Sequence, residues 1–167
     1  MNAAKRETIV VKVGSALLVG EDGQARRSWL KTLVADIAKR HQAGDNVIIV
    51  SSGSIALGAR KLGLENGGRA SLADAQAAAS VGQIGLSSLW SELLAEHQIT
   101  AAQMLLTLDD LEDRKRYLNA TATLEKLLEH RAIAVINEND SVATDEIRFG
   151  DNDRLAARVA QAGGADR

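Results

Sequence analysis

Apolar residues along this chain follow two rhythms. Four short runs, Thr8–Val13, Asn46–Val50, Ala101–Thr107 and Ala132–Ile136, are aliphatic and free of charge except at Lys12. Runs of that kind predict strands buried on both faces. Between them the period lengthens. Trp29, Leu30, Leu33, Val34, Ile37 and Ala38 fall at helical spacing within Arg26–His41, and Gly44 follows as a C-terminal cap. A helix is also expected to start near Ile55, directly after Ser51-Ser52-Gly53-Ser54.

A Gly-rich loop at Asn66-Gly67-Gly68 precedes a long helical region from about Ala70 to His97, where Gly82 and Gly85 are expected to break or tighten the helix. Asp113–His130 reads as a helix, with the acid Asp113 at its start and the bases Lys126 and His130 near its end, as the helix dipole favours. A short extended arm is expected near Glu146–Phe149, then a last helix over Asp151–Ala162 that Gly163-Gly164 stops.

Strands alternating with helices predict an α/β fold: a mainly parallel sheet covered on both faces, a three-layer αβα sandwich. Ligands of such sheets sit beyond the carboxyl ends of the strands. The same rhythm calls for another strand after Arg167, so the chain reads as one truncated domain without repeats or linkers.

Composition narrows the function. Hydrophobic residues make up 46% of the 167 positions but aromatic ones only 2%, so aliphatic side chains must fill the core. The net charge is -2 with the signs well mixed, which offers neither a basic stripe for nucleic acid nor a polybasic patch for a membrane. Without cysteine, disulfides, thiol nucleophiles and thiolate metal sites are excluded. The polar start and the lack of any apolar run near about 18 residues predict a cytoplasmic protein. His41, His97 and His130 each fall near a predicted helix C-terminus without metal-ligand spacing, so no metal site is expected. Trp29, Trp90 and Tyr117 read as core or interface side chains, and the Ala- and Leu-rich faces of Ala75–Leu94 as a possible interface.

Polar residues cluster where strands end. Val10-Val11-Lys12-Val13-Gly14-Ser15 places a lysine inside an apolar strand, with small residues beside it that let a phosphate approach the backbone. Ser51-Ser52-Gly53-Ser54 at a helix start offers backbone N–H groups to a carboxylate or a phosphate, and equally suits a simple cap. Ile136-Asn137-Glu138-Asn139-Asp140 sets four polar residues directly after a strand; Asp140 suits an ammonium group, and the asparagine amides donate and accept. Gly150-Asp151-Asn152-Asp153 suits either capping or a ligand. Together they point to phosphoryl transfer onto a small amphoteric substrate.

These segments, with Gln103-Met104-Leu105-Leu106-Thr107, closely resemble the glutamate 5-kinase family of the amino-acid-kinase superfamily, over essentially the whole chain. The lysine–glycine strand is common to the superfamily, whereas the last two motifs are far more specific. The resemblance implies the amino-acid-kinase fold, truncated before its nucleotide-binding half and before any C-terminal RNA-binding-like domain. It implies ATP-dependent phosphorylation of the γ-carboxylate of L-glutamate at the start of proline biosynthesis, with ATP and a Mg²⁺ that arrives with the nucleotide.

By the same resemblance, Lys12 contacts the transferring phosphate with Gly14 and Ser15 beside it, and Asp153 orients Lys12. Ser52, Asp140 and Asn152 bind glutamate; Gly53, Asn137 and Asp151 line the same pocket. A homo-oligomer and a partnership with glutamyl phosphate reductase are further implications. Ala134 stands where the family often has proline, and the chain has no proline at all. Two alternatives stay open: a sibling kinase of the acetylglutamate or aspartate type, and a non-catalytic amino-acid-sensing module. The chain alone is expected to be inactive.

Overall fold

The computed structural model describes residues 6–142 and 152–167. The arm expected near Glu146–Phe149, along with Gly150 and Asp151, therefore lies outside the described residues.

In chain order the elements are β1 (Thr8–Val13), α1 (Ser15–Leu18), α2 (Arg27–Gln42), β2 (Asn46–Ser51), α3 (Ser54–Leu62), a 3₁₀ turn (Glu65–Gly68), α4 (Leu72–Ala95), β3 (Ala101–Leu106), α5 (Leu108–Glu112), α6 (Arg114–Glu129), β4 (Ile133–Glu138) and α7 (Asn152–Ala162). The sheet runs β1-β2-β4-β3, and every pairing is parallel. At the chain's end Asp166 N donates to Thr8 O and Val10 N to Arg167 O, both at 2.8 Å, so residues 166–167 run along the outer edge of β1.

The period-2 alternation of β2 and β4 divides the core. Val47, Ile49, Ile133 and Val135 face one way, against Leu30, Val34 and Ile37 of α2 and Leu86, Trp90 and Leu93 of α4. Ile48, Val50, Ala134 and Ile136 face the other way, against Leu124 of α6 and Leu155 and Val159 of α7. The result is the expected sandwich of helices, sheet and helices.

Local signals account for the boundaries. The Ser71 hydroxyl caps α4 by accepting from Asp74 N at 3.0 Å. Thr107 and Asp110 form a reciprocal capping box that starts α5. At the end of α2, Gly44 takes φ +109 one residue past the cap, and Gly164 takes φ +59 just after α7.

Two expectations need correction. Asn137 and Glu138 do not follow the strand: they are the last two residues of β4, paired with Leu105 and Leu106 of β3. The neighbouring strand extends the ladder, whatever the polarity of the side chains. Gly82 and Gly85 do not break α4, which is continuous from Leu72 to Ala95. Gly82 instead permits a helix crossing. A Cβ there would stand 1.7 Å from Ser54 O, and one on Gly58 would stand 1.7 Å from Ala78 O. Helices α3 and α4 thus meet backbone to backbone.

Strand order then locates the crevice. After β2 the chain leaves through α3 to α4, which packs on one face; after β4 it leaves to α7, which packs on the other. β2 and β4 are neighbours, so the gap beyond their carboxyl ends is a topological switch point.

Candidate functional site

Four segments meet at that gap. Ser52 follows β2, its N–H tied to Val13 O at 2.9 Å. Gly53 turns the chain into α3 with φ +114; a Cβ at that position would press against Leu18 Cδ2 at 2.9 Å. Both conformation and space call for glycine. Beneath Ser52, Trp90 is fully buried, and its indole N–H donates to Ser51 Oγ at 2.9 Å. Helix α4 therefore anchors the end of β2.

A buried network of amides and hydroxyls forms the floor. Asn152 Nδ2 donates to Ser52 Oγ at 2.8 Å and to Asn137 Oδ1 at 2.9 Å. Asn137 Nδ2 in turn donates to Gln83 Oε1 at 2.9 Å, with Ser54 Oγ at 3.4 Å. Ser52, Ser54, Asn137, Asp140 and Asn152 are all at most 5% exposed. Uncompensated polar groups so placed would cost several kcal/mol in all.

Two acceptors in this network do have vacant capacity. Asp140 Oδ1 and Asn152 Oδ1 are buried with no hydrogen-bond partner. Burial pushes the Asp140 carboxyl up from the usual 3.8 to about 6, against the opposing effects of the Arg69 charge and a hydrogen bond with Ser54. An unsatisfied, desolvated carboxylate suits a cation that brings its own donors, as an ammonium does.

Lys12 lies at the rim. Its Nζ pairs with Asp153 Oδ1 at 2.7 Å, where α7 begins. Gly14 lies under it: a Cβ on Gly14 would stand 3.5 Å from Lys12 Nζ. The pair is largely exposed and contributes little to stability. It fixes where the ammonium group points.

The structure thus brings Ser15, Ser52, Gly53, Asn137, Asp140 and Asn152 to one narrow cleft. Lys12, Gly14 and Asp153 stand at its edge, and Asp151 lies outside the described residues. A wider cavity of about 530 Å³ opens alongside and shares Ser54 and Asp140 with the cleft. Among the described residues, no group of three or more His, Asp or Glu side chains is arranged to hold a metal ion, and no helix is long and apolar enough to cross a membrane.

Three contributors escaped sequence reasoning: Ser54, Gln83 and Arg69. Ser54 sits inside a motif but reads as a cap. Gln83 occupies a helix among alanines and Arg69 follows a glycine turn, with nothing local to set either apart.

A sequence model of the amino acid kinase family matches residues 7–167. Glutamate 5-kinase of Novosphingobium aromaticivorans is 73% identical over 157 residues, 94% of this chain and 42% of the relative. The same-named protein of Zymomonas mobilis is 66% identical over 154 residues, 92% of this chain and 39% of the relative. The chain thus spans about two-fifths of the length of these curated relatives. Among solved structures, a Giardia carbamate kinase superposes with a TM-score of 0.65 at 13% identity, covering 98% of this chain and 72% of that one. A likeness at that identity speaks for the fold. With its parallel αβα sandwich, its strand-end cleft and a match over nearly its full length, the chain belongs to the amino acid kinase family.

Proposed function

We propose that this chain is the amino-acid-binding portion of an ATP-dependent kinase that phosphorylates the γ-carboxylate of L-glutamate, yielding L-glutamyl 5-phosphate for proline biosynthesis. The observation that carries the reading is the convergence of Ser52, Asn137, Asp140 and Asn152 on one cleft, with a buried carboxylate oxygen of Asp140 lacking any partner. Similarity to proteins named glutamate 5-kinase supports it.

In this reading Asp140 receives the substrate ammonium, and the Ser52–Asn152–Asn137 network holds the cleft in shape. Preference for a free ammonium favours glutamate over an N-acylated relative, because an acetamide cannot neutralise Asp140. The γ-carboxylate has an ordinary pKa near 4.3, so at pH 7 it is already an anionic nucleophile. Asp140 and Asp153 therefore serve in binding and positioning, not as general bases, unlike the aspartate of kinases that act on hydroxyls.

The larger difficulty is the meeting of anions. At about 4 Å and an effective dielectric near 20, each pair of unit charges repels by roughly 4 kcal/mol. Lys12, steered by Asp153, places a positive charge at the rim where that repulsion arises. Open backbone at Gly14 under its ammonium fits a phosphate beside it. ATP carrying Mg²⁺ would supply the γ-phosphoryl group, and Lys12 and the Gly14 backbone are the groups of this chain that would face it.

The test is ATP-dependent formation of an acyl phosphate from L-glutamate, trapped as the hydroxamate, by the whole protein that carries this segment. Formation with glutamate and not with N-acetyl-L-glutamate or L-aspartate is the expected result. Equal turnover of N-acetyl-L-glutamate would refute the reading.

A further inference from the structure

We infer that Gln83 and Gln103 are positioning residues: they anchor the far end of a head-to-tail chain of side-chain amides whose near end presents an acceptor to the cleft. The inference rests on the glutamate reading above and adds two residues that lie outside the cleft.

The hydrogen bonds of the floor continue past it. Asn152 Nδ2 donates to Asn137 Oδ1, Asn137 Nδ2 to Gln83 Oε1, and Gln83 Nε2 to Gln103 Oε1, at 2.9, 2.9 and 3.0 Å. These amides all run one way, from buried Asn152 to exposed Gln103 on the sheet edge. Strand alternation makes the chain possible. Gln103 pairs with Val135 and Leu105 with Asn137; Val135 packs on the α4 side of the sheet, so Asn137 and Gln103 turn toward that helix too. Ser87 lies one turn beyond Gln83 on α4, where its hydroxyl accepts from Gln83 Nε2 at 3.2 Å and donates to Gln103 Oε1.

The direction of the chain decides what the cleft offers. A primary amide can turn over, exchanging its oxygen for its NH₂. A backbone N–H cannot, and that of Glu138 donates to Asn137 Oδ1 at 2.9 Å. Asn137 must therefore turn its NH₂ to Gln83, which answers with oxygen; Gln103 and Ser87 receive the Gln83 NH₂ and hold it so. At the near end Asn152 spends its NH₂ on Ser52 and Asn137, which leaves Oδ1 buried and without a partner. Aligned amides polarise one another, so this oxygen is a stronger acceptor than that of a lone amide. An ammonium has three donors, and Asp140 and Asn152 line one cleft to receive them. Turned over, the chain would set an NH₂ against the ammonium. Both glutamines line the wider cavity alongside, not the narrow cleft, so they act on the substrate through Asn137.

The experiment is steady-state kinetics of the whole enzyme carrying Gln83→Met, Gln103→Met or both, since methionine keeps the length without the amide. Gln83→Met should raise the KM for L-glutamate about 10-fold with kcat nearly unchanged. Gln103→Met should raise it less, and should add nothing once Gln83 is replaced. Gln83→Glu, which keeps an acceptor for Asn137, should recover part of the loss. Where Gln83→Met fails to fold, Gln103→Met at the exposed edge decides alone, by a raised KM or an unmoved one. An unmoved KM, a loss confined to kcat, or independent effects of the two glutamines would overturn the inference with the glutamate reading intact. A wild type that does not phosphorylate glutamate would sink both.

Discussion

The Asn152 amide donates to the Ser52 hydroxyl at 2.8 Å across a hundred residues of chain. That bond joins the turn after β2 to the first residue of α7, the two connections that leave the sheet on opposite faces. Asn152→Ala would leave Ser52 Oγ and Asn137 Oδ1 without this donor in a buried setting, at about 1–3 kcal/mol. The expected result is a lower denaturant midpoint and a KM for glutamate raised about 10-fold or more. Measuring unfolding and kinetics on the same preparation checks both.

Asp140 ties binding to pH. Its folded-state pKa is raised to about 6, so the ionised form that an ammonium needs is depleted as pH falls below that value. Glutamate affinity should drop by about tenfold for each pH unit below 6, and Asp140→Asn should bind weakly at every pH. A flat affinity between pH 5 and 7 in the wild type would count against the assignment.

The same shift has an opposite consequence for stability. Between pH 3.8 and about 6 the folded protein holds a proton on Asp140 that the unfolded chain has released, so stability falls as pH rises through that window. The contribution lost by pH 7 is about 2–3 kcal/mol. Asp140→Asn should therefore unfold at a higher temperature than the wild type near pH 8, the gain disappearing toward pH 4, while glutamate binding is lost. Thermal melts at both pH values test this.

Lys12 and Asp153 act on the chemical step. Lys12→Ala in the whole enzyme should lower kcat about 10²–10³-fold with a much smaller change in the KM for glutamate. Asp153→Asn should move kcat in the same direction by less, because the lysine remains but loses its partner at 2.7 Å. Steady-state kinetics that changed only KM would remove Lys12 from the phosphoryl side of the site.

Gly82 offers a structural control. Its missing side chain admits Ser54 O, so Gly82→Ala must separate α3 from α4. A loss of about 1–3 kcal/mol is expected from the overpacked crossing, and weaker glutamate binding because α3 carries Ser54 at its start. Gly85→Ala, where the nearest atom to a Cβ is Lys61 Nζ at 4.0 Å, should be close to neutral.

Elements with a long, clear period were legible in the sequence: the four strands, α2, α4, α6 and α7 lie within a few residues of their expected places. Helices α1 and α5 were not, since four or five residues carry too little periodicity, although the capping box of Thr107 and Asp110 was there to be read. Asn137 and Glu138 were placed beyond the strand because their polarity marked its end, whereas pairing with β3 holds them in it. Lys12, Ser52, Asp140 and Asn152 stood out as polar residues at strand ends. Gln83 and Arg69 did not, because Gln83 meets Asn137 and Arg69 joins Asp140 at the cleft only through tertiary packing, which leaves no trace in local pattern.

A crystal structure of the protein grown with L-glutamate addresses the central claim most directly. The account predicts the amino acid in the cleft beyond β2 and β4, its ammonium within hydrogen-bond distance of the Asp140 carboxylate and its γ-carboxylate toward Lys12. Glutamate bound elsewhere on the molecule, or turned so that a carboxylate faces Asp140, would contradict it.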